Sequence, residues 1–592
     1  MTMSEITVVD EVSAERVRSH VETIVREIPH RAAGSANGKR MAEYSHAAMS
    51  AIGLTDVAIK ELQAIVSFPE HADFRVEAPV ETSFEANTLG HSVKTGPEGV
   101  RGEVVDVGSG ALSNYAGKDA RGKIILTELS YSPARHEKQR IAANQGAIGA
   151  VMMNWGHPEN QAVPFGSVKP MWGNPTPENA ETEMPTIPCI GIARAAGLEL
   201  RKLVGQGPVT VRMQTHVENG WRPVQITVAR LPAPASSPEH DDFVLVGGHQ
   251  DSWPGEAATD NAAGNACQME LARVFSKYRD KMRRGLTFGF WTAHETGTMA
   301  GSTWFADRNW DNLRKNCVAY LQIDQPACIG TTEWATSSNP ELRSFHSAIE
   351  TRLLNKKIRW ERQAKSGDSS FFGLGIPSFQ GRGAFTDAEL KSTAHATLGW
   401  WHHSIENRLD KLDWSLMQEH LRVYTAYLWE LTTAPILPFR FAPVSKQISD
   451  RLEELHVAGK SVGLETAQDD ATRFTNAVVR LDSRAAQEAE QFAGSRGSEQ
   501  AALLINRTIK RLSRILVPLQ SSSVGRYGHD TYGFTPQTTM IPCLYDLQQL
   551  DQLPDGEQRW MLETKMVRAR NRVSDALQDS TDLIDEMFAR LK

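Results

Sequence analysis

Apolar side chains recur along the chain in patterns that predict regions of different architecture. At the N-terminal end, the apolar positions fall on one face at helical spacing, so we expect an amphipathic helix over residues 15–30. A second helical stretch ends near Gly53. It is followed by a run over residues 57–65 with the pattern of a strand.

Between residues 66 and 220 the pattern changes to short apolar runs separated by glycine and proline turns, which is typical of strands. The predicted strands are residues 102–107, 123–128, 147–154, 186–192 and 209–214. One helix is expected over residues 135–146. Residues 155–185 are rich in Pro, Gly and Asn and are expected to form a long surface loop. This region therefore indicates a separate, small β-rich domain.

An α/β alternation follows the loop over residues 232–238. Continuous apolar strands are predicted at residues 243–247, 286–292 and 317–323, with helices at 262–280 and 298–310 between them. Continuous apolar strands separated by helices favour an α/β fold with a mostly parallel sheet that is covered on both faces.

After about residue 445 the apolar positions form helical stripes, so we expect a C-terminal helical bundle. A segment rich in Tyr, Gly and Pro interrupts it at residues 524–542. The charged stretches of this region are expected to be solvated helix faces. The apolar stripes are expected to form the bundle core and a dimer interface.

Composition excludes several classes of function. The chain has 592 residues, with 64 basic and 71 acidic side chains and a net charge of −7, which argues against general nucleic-acid binding. No apolar run approaches the roughly 18 residues expected of a membrane span. The first 20 residues carry charges where a signal peptide would need an apolar stretch, so we expect a cytoplasmic protein. The five cysteines are scattered and odd in number, which favours reduced thiols over a disulfide framework.

Three predicted strands end in metal-ligand residue types. The first is followed by His249, the second by His294 and Glu295, and the third by Asp324. In open α/β sheets, sites form beyond the carboxyl ends of the strands. Histidine with carboxylates is the ligand chemistry of zinc in hydrolases, with Mn, Co and Fe as competitors. We therefore expect a metal site at this edge of the sheet.

Further ligand types stand at Asp260, which precedes a helical stretch, and at the adjacent His402 and His403. Five ligands that include one bridging carboxylate are enough to hold two metal ions. Two ions about 3.5–4 Å apart can activate a water and stabilise a developing oxyanion.

Four motifs carry a family resemblance, and they stand in this order: GGHQDSW…ATDNAAG, WTAHETGTMAGSTWFAD, SGDSSFF with GLGIPSF, and WWHHSIENRLDKLD. They resemble the co-catalytic zinc peptidase family of aminopeptidases, glutamate carboxypeptidase and the transferrin receptor, with the glutamate carboxypeptidase branch most similar. The resemblance covers nearly the whole chain. It implies a metallopeptidase-like α/β domain with a mostly parallel mixed sheet from residues 1–65 and 221–445, and an inserted protease-associated domain over 66–220. Residues 446–592 would be a helical dimerisation domain, which implies a homodimer.

The resemblance also implies the ligand sets for two divalent metal ions, with zinc expected. Site one would comprise His249, Asp260 and Asp324, and site two Asp260, Glu295 and His403. His403 is chosen over His402 because the family's ligand directly precedes Ser or Thr, here Ser404. His402 then occupies the place of the group that stabilises the oxyanion. Asp251 is expected to orient the imidazole of His249.

One departure from the family concerns the general base. The family has two adjacent glutamates, of which the first is the base and the second a ligand, whereas this chain has His294 and Glu295. Imidazole can also carry protons. Three interpretations are open: an amide or peptide hydrolase with His294 as proton carrier, other metal chemistry such as a lyase reaction, and a non-catalytic, receptor-like protein. In the second interpretation, His294 moves a proton or binds the metal.

The resemblance implies a small or peptide-like substrate and suggests residues that contact it. Arg382 lies where relatives place substrate-binding arginines, and a guanidinium there could bind a substrate carboxylate. His529 and Tyr532 lie in the C-terminal loop that relatives use as a lid over the pocket. Asp368 could line the site or cap a turn.

Overall fold

A computed structural model of the protein describes residues 7–54 and 56–591. The strands are β1 Asp56–Ala78, β2 Thr82–Thr88, β3 Val100–Asp106, β4 Ile124–Glu128, β5 Gly149–Met153, β6 Cys189–Ile192, β7 Thr210–Leu231, β8 Phe243–His249, β9 Gly285–Trp291, β10 Cys317–Gln322, β11 Glu333–Ser338, β12 Ile358–Arg362 and β13 Ser378–Ala384. The helices are α1 Ala14–Glu27, α2 Ala36–Ala51, α3 Arg135–Asn144, α4 Arg194–Gln206, α5 Ala263–Lys277, α6 Ala300–Arg308, α7 Trp310–Asn316, α8 Arg343–Leu353, α9 Asp387–Ser392, α10 Trp414–Thr433, α11 Ala442–Glu454, α12 Glu465–Ala493, α13 Glu499–Ser521 and α14 Glu557–Leu591.

The β-rich region is a ring of strands in the order β1-β2-β6-β5-β4-β3-β7, which closes because β7 also pairs with β1. Its interior is filled by buried apolar side chains such as Phe74, Val151 and Met213. The predicted helix in this region is α3, whereas α4 was not predicted.

The α/β part of the sheet continues from β7 in the order β9-β8-β10-β13-β11-β12. Strands β9, β8, β10 and β13 are parallel to one another. Strand β7 is antiparallel to β9, and β11 is antiparallel to β13 but parallel to β12. Every residue of β8, β9 and β10 is buried. The prediction of an α/β fold with a mostly parallel mixed sheet is confirmed, because strands buried on both faces read as continuous apolar runs.

The C-terminal region is helical, as predicted. Helices α12 and α14 pack along each other and α13 packs on α14. Their buried faces carry the apolar stripes of the sequence, including Leu481, Leu512 and Leu577. The segment 522–541 lies between α13 and a short 3₁₀ helix over Pro542–Gln552 and contains only a 3₁₀ turn.

The expected domain boundaries at residues 65/66 and 220/221 lie inside two long strands, β1 and β7, which pair with each other over most of their length. Each strand has one end in the ring and the other in the α/β part of the sheet. The two parts of the molecule are therefore joined by continuous backbone pairing, which a boundary placed by composition could not reveal.

The segment 155–185 has no helix, and a single isolated bridge residue is its only strand-like pairing among the described residues. The expectation of a surface loop is nevertheless wrong for residues 162–172, which are buried apart from a partly exposed Val163. Phe165 donates from its backbone N–H to the carbonyl of His403 at 2.7 Å, so this segment packs directly behind the site.

None of the described helices is long and apolar enough to cross a membrane. The five cysteines are free thiols, and four of them are buried. Residues 1–6, part of the stretch that suggested a cytoplasmic protein, lie outside the described residues.

Candidate metal centre

Three adjacent parallel strands deliver ligand-type side chains to one edge of the sheet. His249 is the last residue of β8, Glu295 lies four residues past the end of β9, and Asp324 lies two residues past the end of β10. Because β8 lies between β9 and β10, the carboxyl ends of the three strands meet at one place. All three side chains are buried, with exposures of 0%, 4% and 7% in that order.

The glycines of the GGH motif allow this convergence. A Cβ on Gly248 would lie 2.3 Å from the carbonyl oxygen of Ile323, the residue before Asp324. Such a contact is impossible without movement of the backbone, so only glycine lets β8 and the end of β10 approach this closely.

Asp260 lies at the centre of the ligand cluster, in a turn just before α5. Its Oδ1 lies 3.0 Å from Nε2 of His249, which itself lies 3.4 Å from Oδ1 of Asp324. Its Oδ2 lies 3.3 Å from Nε2 of His403. That nitrogen lies 3.2 Å from Oε1 of Glu295. The two oxygens of Asp260 thus face two separate ligand sets.

These donors fit a pair of divalent metal ions. Two imidazole nitrogens and three carboxylates converge in a buried space. Burial of a carboxylate without a positively charged partner is energetically unfavourable, so this cluster favours bound cations. Oδ1 of Asp324 and Oε1 of Glu295 are buried without a hydrogen-bond partner. His249, Asp260 and Glu295 also offer donor atoms that lie within 4.8 Å of one another. The arrangement places Asp260 where a carboxylate would bridge two ions.

Asp251 supports the cluster differently from the sequence expectation. The imidazole of His249 is held by the backbone carbonyl of Asp251, at 2.9 Å from Nδ1, whereas the nearest carboxylate oxygen lies 3.9 Å away. The carboxylate instead accepts the backbone N–H groups of His294 and Glu295, both at 3.1 Å. Asp251 therefore fixes the turn that presents these two side chains. Burial raises the pKa of Asp251 to about 6.

Two residues that the sequence did not single out contact the second ligand set. The indole N–H of Trp253 donates to Oε2 of Glu295 at 2.8 Å, which leaves Oε1 facing the cluster. Nη2 of Arg135, from the start of α3, lies 3.1 Å from Nδ1 of His403. Trp253 stands in the GGHQDSW motif, which is the one signal that could have identified it. Nothing in the pattern around Arg135 indicated that the β-rich domain reaches this site.

His294 lies beside the ligands and pairs with a carboxylate of its own. Its Nδ1 lies 3.0 Å from Oδ2 of Asp368, which is fully buried. The imidazole stacks on that of His249 with ring centroids 3.9 Å apart. Burial and the neighbouring His249 oppose a charge on the ring, but Asp368 outweighs them and raises the pKa of His294 to about 9. Asp368 does not line the cavity beside the ligands and contacts the site through His294.

His402 lies next to His403, with ring centroids 3.7 Å apart. Its Nδ1 is 3.2 Å from Oδ2 of Asp260, and this nitrogen has no hydrogen-bond partner. Burial and the charge of His403 lower the pKa of His402 to about 4, so this ring is neutral near neutral pH.

Backbone strain is concentrated around these ligands. His403 itself has a φ of 56°, Ala293 before His294 has 53°, Ala257 before the Asp260 turn has 47°, and Gln325 after Asp324 has 55°. Non-glycine residues rarely adopt this left-handed region, and such residues cluster at functional sites because the surrounding structure holds them there.

A cavity of about 140 Å³ opens beside the cluster. Arg382 from β13 and Tyr532 from the segment 522–541 line it, together with Arg135 and His294. His529 does not line it. Its Nε2 instead lies 3.0 Å from Oδ1 of Asp307, so this pairing holds the imidazole away from the cavity. The walls thus come from the ring, the α/β domain and the C-terminal segment.

Comparison with known proteins identifies two domains. Residues 227–428 match the model of peptidase family M28, and residues 100–200 match that of the PA domain. The first match spans β8, β9 and β10 and all five candidate ligands. The second falls within the β-rich ring. This agrees with the resemblance that the motifs carry.

Similar curated proteins agree with these matches, and a solved structure shares the fold. Leucine aminopeptidase 2 of Arthroderma otae is 28% identical over 381 residues, which cover 62% of this chain and 70% of that protein. The probable glutamate carboxypeptidase AMP1 of Arabidopsis thaliana is 23% identical over 67% of this chain and 65% of its own length. The crystal structure of a peptidase M28 precursor from Shewanella amazonensis has the same fold, with a TM-score of 0.59 and 17% identity over 73% of this chain and 97% of that chain.

Proposed function

We propose that this protein is a metal-dependent hydrolase that cleaves a peptide or amide bond in a small substrate, with His294 as the proton carrier. The match of residues 227–428 to the model of peptidase family M28 supports the hydrolase activity. The observation that carries the proposal is the pairing of His294 with the buried carboxylate of Asp368 beside the candidate ligands.

The proposed ligands are His249, Asp260 and Asp324 for one ion and Asp260, Glu295 and His403 for the other, with zinc as the metal. Two bound divalent ions would lower the pKa of the attacking water and polarise the scissile carbonyl. Side chains of the protein would transfer the protons and stabilise the oxyanion.

Asp368 and His294 resemble the acid–histidine pairs that orient general bases. The carboxylate on Nδ1 fixes the tautomer and ring orientation and leaves Nε2 as the nitrogen for proton transfer. Next to two bound dications, His294 would lose the proton that Asp368 favours, so its Nε2 could take a proton from the attacking water and deliver it to the leaving amine. His402 is neutral and so carries one proton. With that proton on the nitrogen that does not face Asp260, it would donate a hydrogen bond to the oxyanion.

Two guanidinium groups suggest how a substrate carboxylate would be bound. Arg382 and Arg135 both line the cavity. If His403 coordinates a metal ion through Nε2, its one remaining proton is on Nδ1. Nδ1 then cannot accept a hydrogen bond from Arg135. The guanidinium would then turn towards the substrate, and Tyr532 would close the cavity above it. A peptide with a free carboxylate is therefore the proposed substrate class.

The experiment is hydrolysis of a dipeptide panel by the protein supplied with Zn²⁺, Mn²⁺ or Co²⁺, with the carboxyl end free or amidated. We expect turnover that is lost in Asp260→Asn and a preference for the free carboxylate that is lost in Arg382→Ala. Arg121→Ala, whose side chain is 82% exposed, is the matched control. Absence of hydrolysis with every metal, in protein that binds two ions, would contradict the proposal and favour a lyase reaction.

Two further features are proposals. The C-terminal helices would form a homodimer, since α14 exposes large apolar side chains such as Trp560 and Met561. Sedimentation at several concentrations would test this, and a species of one chain at all of them would contradict it. A cytoplasmic location is proposed from the five free thiols. Cell fractionation with an antibody against the chain would test it, and recovery outside the cytoplasm would contradict it.

A further inference from the structure

A second group of metal-ligand side chains lies on the ring sheet, and none of its members lines the cavity of the metal centre. It consists of His71 and Asp73 on β1 and His216 on β7. Each offers one ligand atom, and these atoms all lie within 4.8 Å of one another. We propose that His71, Asp73 and His216, completed by Glu85, bind a divalent transition-metal ion outside the catalytic centre.

The strand geometry puts the first two side chains on the outer face of the ring. His71 and Asp73 are two residues apart on β1, so they point to the same side of the sheet. The residues that alternate with them, Ala72 and Phe74, are 6% and 3% exposed and belong to the interior of the ring. His71 and Asp73 themselves are exposed.

His216 joins them from the neighbouring strand. Ala72 pairs with Thr215 across β1 and β7, and both are buried, so His216 faces outwards beside His71. Its Nε2 lies 2.9 Å from Oδ2 of Asp73. The His71 and His216 rings stack with centroids 5.3 Å apart and an angle of 29°. Both imidazoles therefore lie side by side on the outer face of the ring, next to Asp73.

The strand on the other side of β1 supplies a fourth donor. Asp73 lies directly opposite Glu85 of β2. Side chains opposite each other in an antiparallel pair have Cβ atoms about 4.5–5.5 Å apart, which is within reach of a shared ion. Glu85 is exposed and has no ion pair among the residues that the structure describes.

The donor atoms of these four side chains indicate which metal ions would bind. Two neutral imidazoles and two carboxylates carry a charge of −2, which a dication neutralises. Four such N and O donors suit Zn²⁺, with Ni²⁺ and Cu²⁺ as competitors, whereas Ca²⁺ and Mg²⁺ prefer oxygen ligands alone. The ion would cross-link β1, β2 and β7, and it would stabilise the two long strands that continue into the α/β part of the sheet.

The test is the zinc content of the full-length protein after equilibration with buffered Zn²⁺ and removal of free metal. The variant His71→Ala/His216→Ala should hold one equivalent less than the wild type, and its activity should be unchanged. The matched control is His157→Ala/His240→Ala, two exposed histidines outside the group, which should retain the wild-type content. Equal zinc contents in the wild type and the first variant would overturn the proposal.

A second measurement separates this site from the catalytic one. In Asp260→Asn, we expect loss of catalytic metal but retention of the ring site. Cu²⁺ bound to this variant should show nitrogen hyperfine coupling from two imidazoles in its electron paramagnetic resonance spectrum. Removal of His71 and His216 should abolish that signal and weaken Cu²⁺ binding at least about tenfold, the loss that even a supporting hydrogen bond causes. A spectrum that does not change would contradict the assignment, and equal melting temperatures of the metal-free proteins would show that both are folded.

Discussion

Asp368 and His294 form a buried carboxylate–imidazole pair, with 3.0 Å between Oδ2 of the acid and Nδ1 of the ring. The carboxylate is itself fixed, because its Oδ1 accepts the hydroxyl of Ser302 at 2.7 Å. A chain of hydrogen bonds from α6 therefore holds the ring in one orientation beside the candidate ligands. A general base requires such support. His294 occupies the position at which the family of similar zinc peptidases has a glutamate.

The first prediction concerns this pair. His294→Ala should lower kcat about 10²–10⁴-fold, which is the usual contribution of general acid–base catalysis. Asp368→Asn should lower kcat less and leave KM nearly unchanged, because the substrate contacts remain while the orientation of the ring is lost. Steady-state kinetics on the best substrate of the dipeptide panel measure both.

The control for this prediction is a second acid–histidine pair, Asp307 with His529, which lies outside the cavity. Asp307→Asn should keep the wild-type kcat. Full activity of His294→Ala would refute the role of this histidine in proton transfer.

The second prediction concerns the hydrogen bond from Trp253 to Glu295. Trp253→Phe keeps an aromatic ring but removes the donor that orients the carboxylate. We expect metal affinity to fall about 10–100-fold, as is typical for groups that support metal ligands. Competition with a fluorescent chelator measures it. Trp360→Phe, which removes a similar bond to Ser338, is the control, and an equal affinity in both variants would contradict the prediction.

The third prediction concerns Gly248. Its alanine variant would place Cβ 2.3 Å from the carbonyl oxygen of Ile323, so the strand end that carries Asp324 must shift. We expect a loss of about 1–3 kcal/mol in the free energy of unfolding and a lower metal content. Chemical denaturation and metal analysis test this. The control is Gly220→Ala, where nothing lies within 4 Å of the new Cβ, and it should keep the stability and metal content of the wild type. Wild-type stability and metal content in Gly248→Ala would contradict the prediction.

The fourth prediction concerns Glu341, which is fully buried. Burial raises the pKa of Glu341 from 4.5 to about 7. Between these pH values the unfolded chain loses the proton and the folded chain keeps it, so the free energy of unfolding falls as pH rises through this window. A shift of this size corresponds to about 3 kcal/mol.

Glu341→Gln removes that titration. The difference in unfolding free energy between the variant and the wild type should therefore grow from pH 4.5 to 7 and stay constant above it. Denaturant titrations at several pH values measure the difference. Glu199→Gln, at an exposed position, should show no such growth. A difference for Glu341→Gln that is independent of pH would contradict the assigned pKa.

Much of the fold and the site follows from the sequence, for identifiable reasons. Strands β8, β9 and β10 are buried on both faces, and their continuous apolar runs predict them within two residues of their ends. The polar residue that ends each run marks the site. The helix α4 was not predicted, although Ala196, Leu200, Leu203 and Val204 lie at helical spacing and pack on the core of the ring.

Contacts between distant segments could not be predicted from the pattern. Arg135 reaches the ligands through tertiary packing, and its own surroundings in the sequence give no sign of it. Trp253 stands in the GGHQDSW motif, but its bond to Glu295 depends on tertiary packing as well. His529 stands close to Tyr532 in the sequence, yet its imidazole pairs with Asp307 outside the cavity. The support of His249 by a backbone carbonyl, and not by the Asp251 carboxylate, is likewise a matter of local backbone geometry.

The central claim is a two-metal centre bridged by Asp260 with an uncoordinated His294 beside it. Anomalous diffraction at the zinc edge, on crystals of protein that has not been exposed to chelators, tests this most directly. The account predicts two peaks about 3.5–4 Å apart that share Asp260, with His294 bound to Asp368 and to neither ion. A single peak at the centre, or a His294 nitrogen in the coordination shell of a metal, would contradict it.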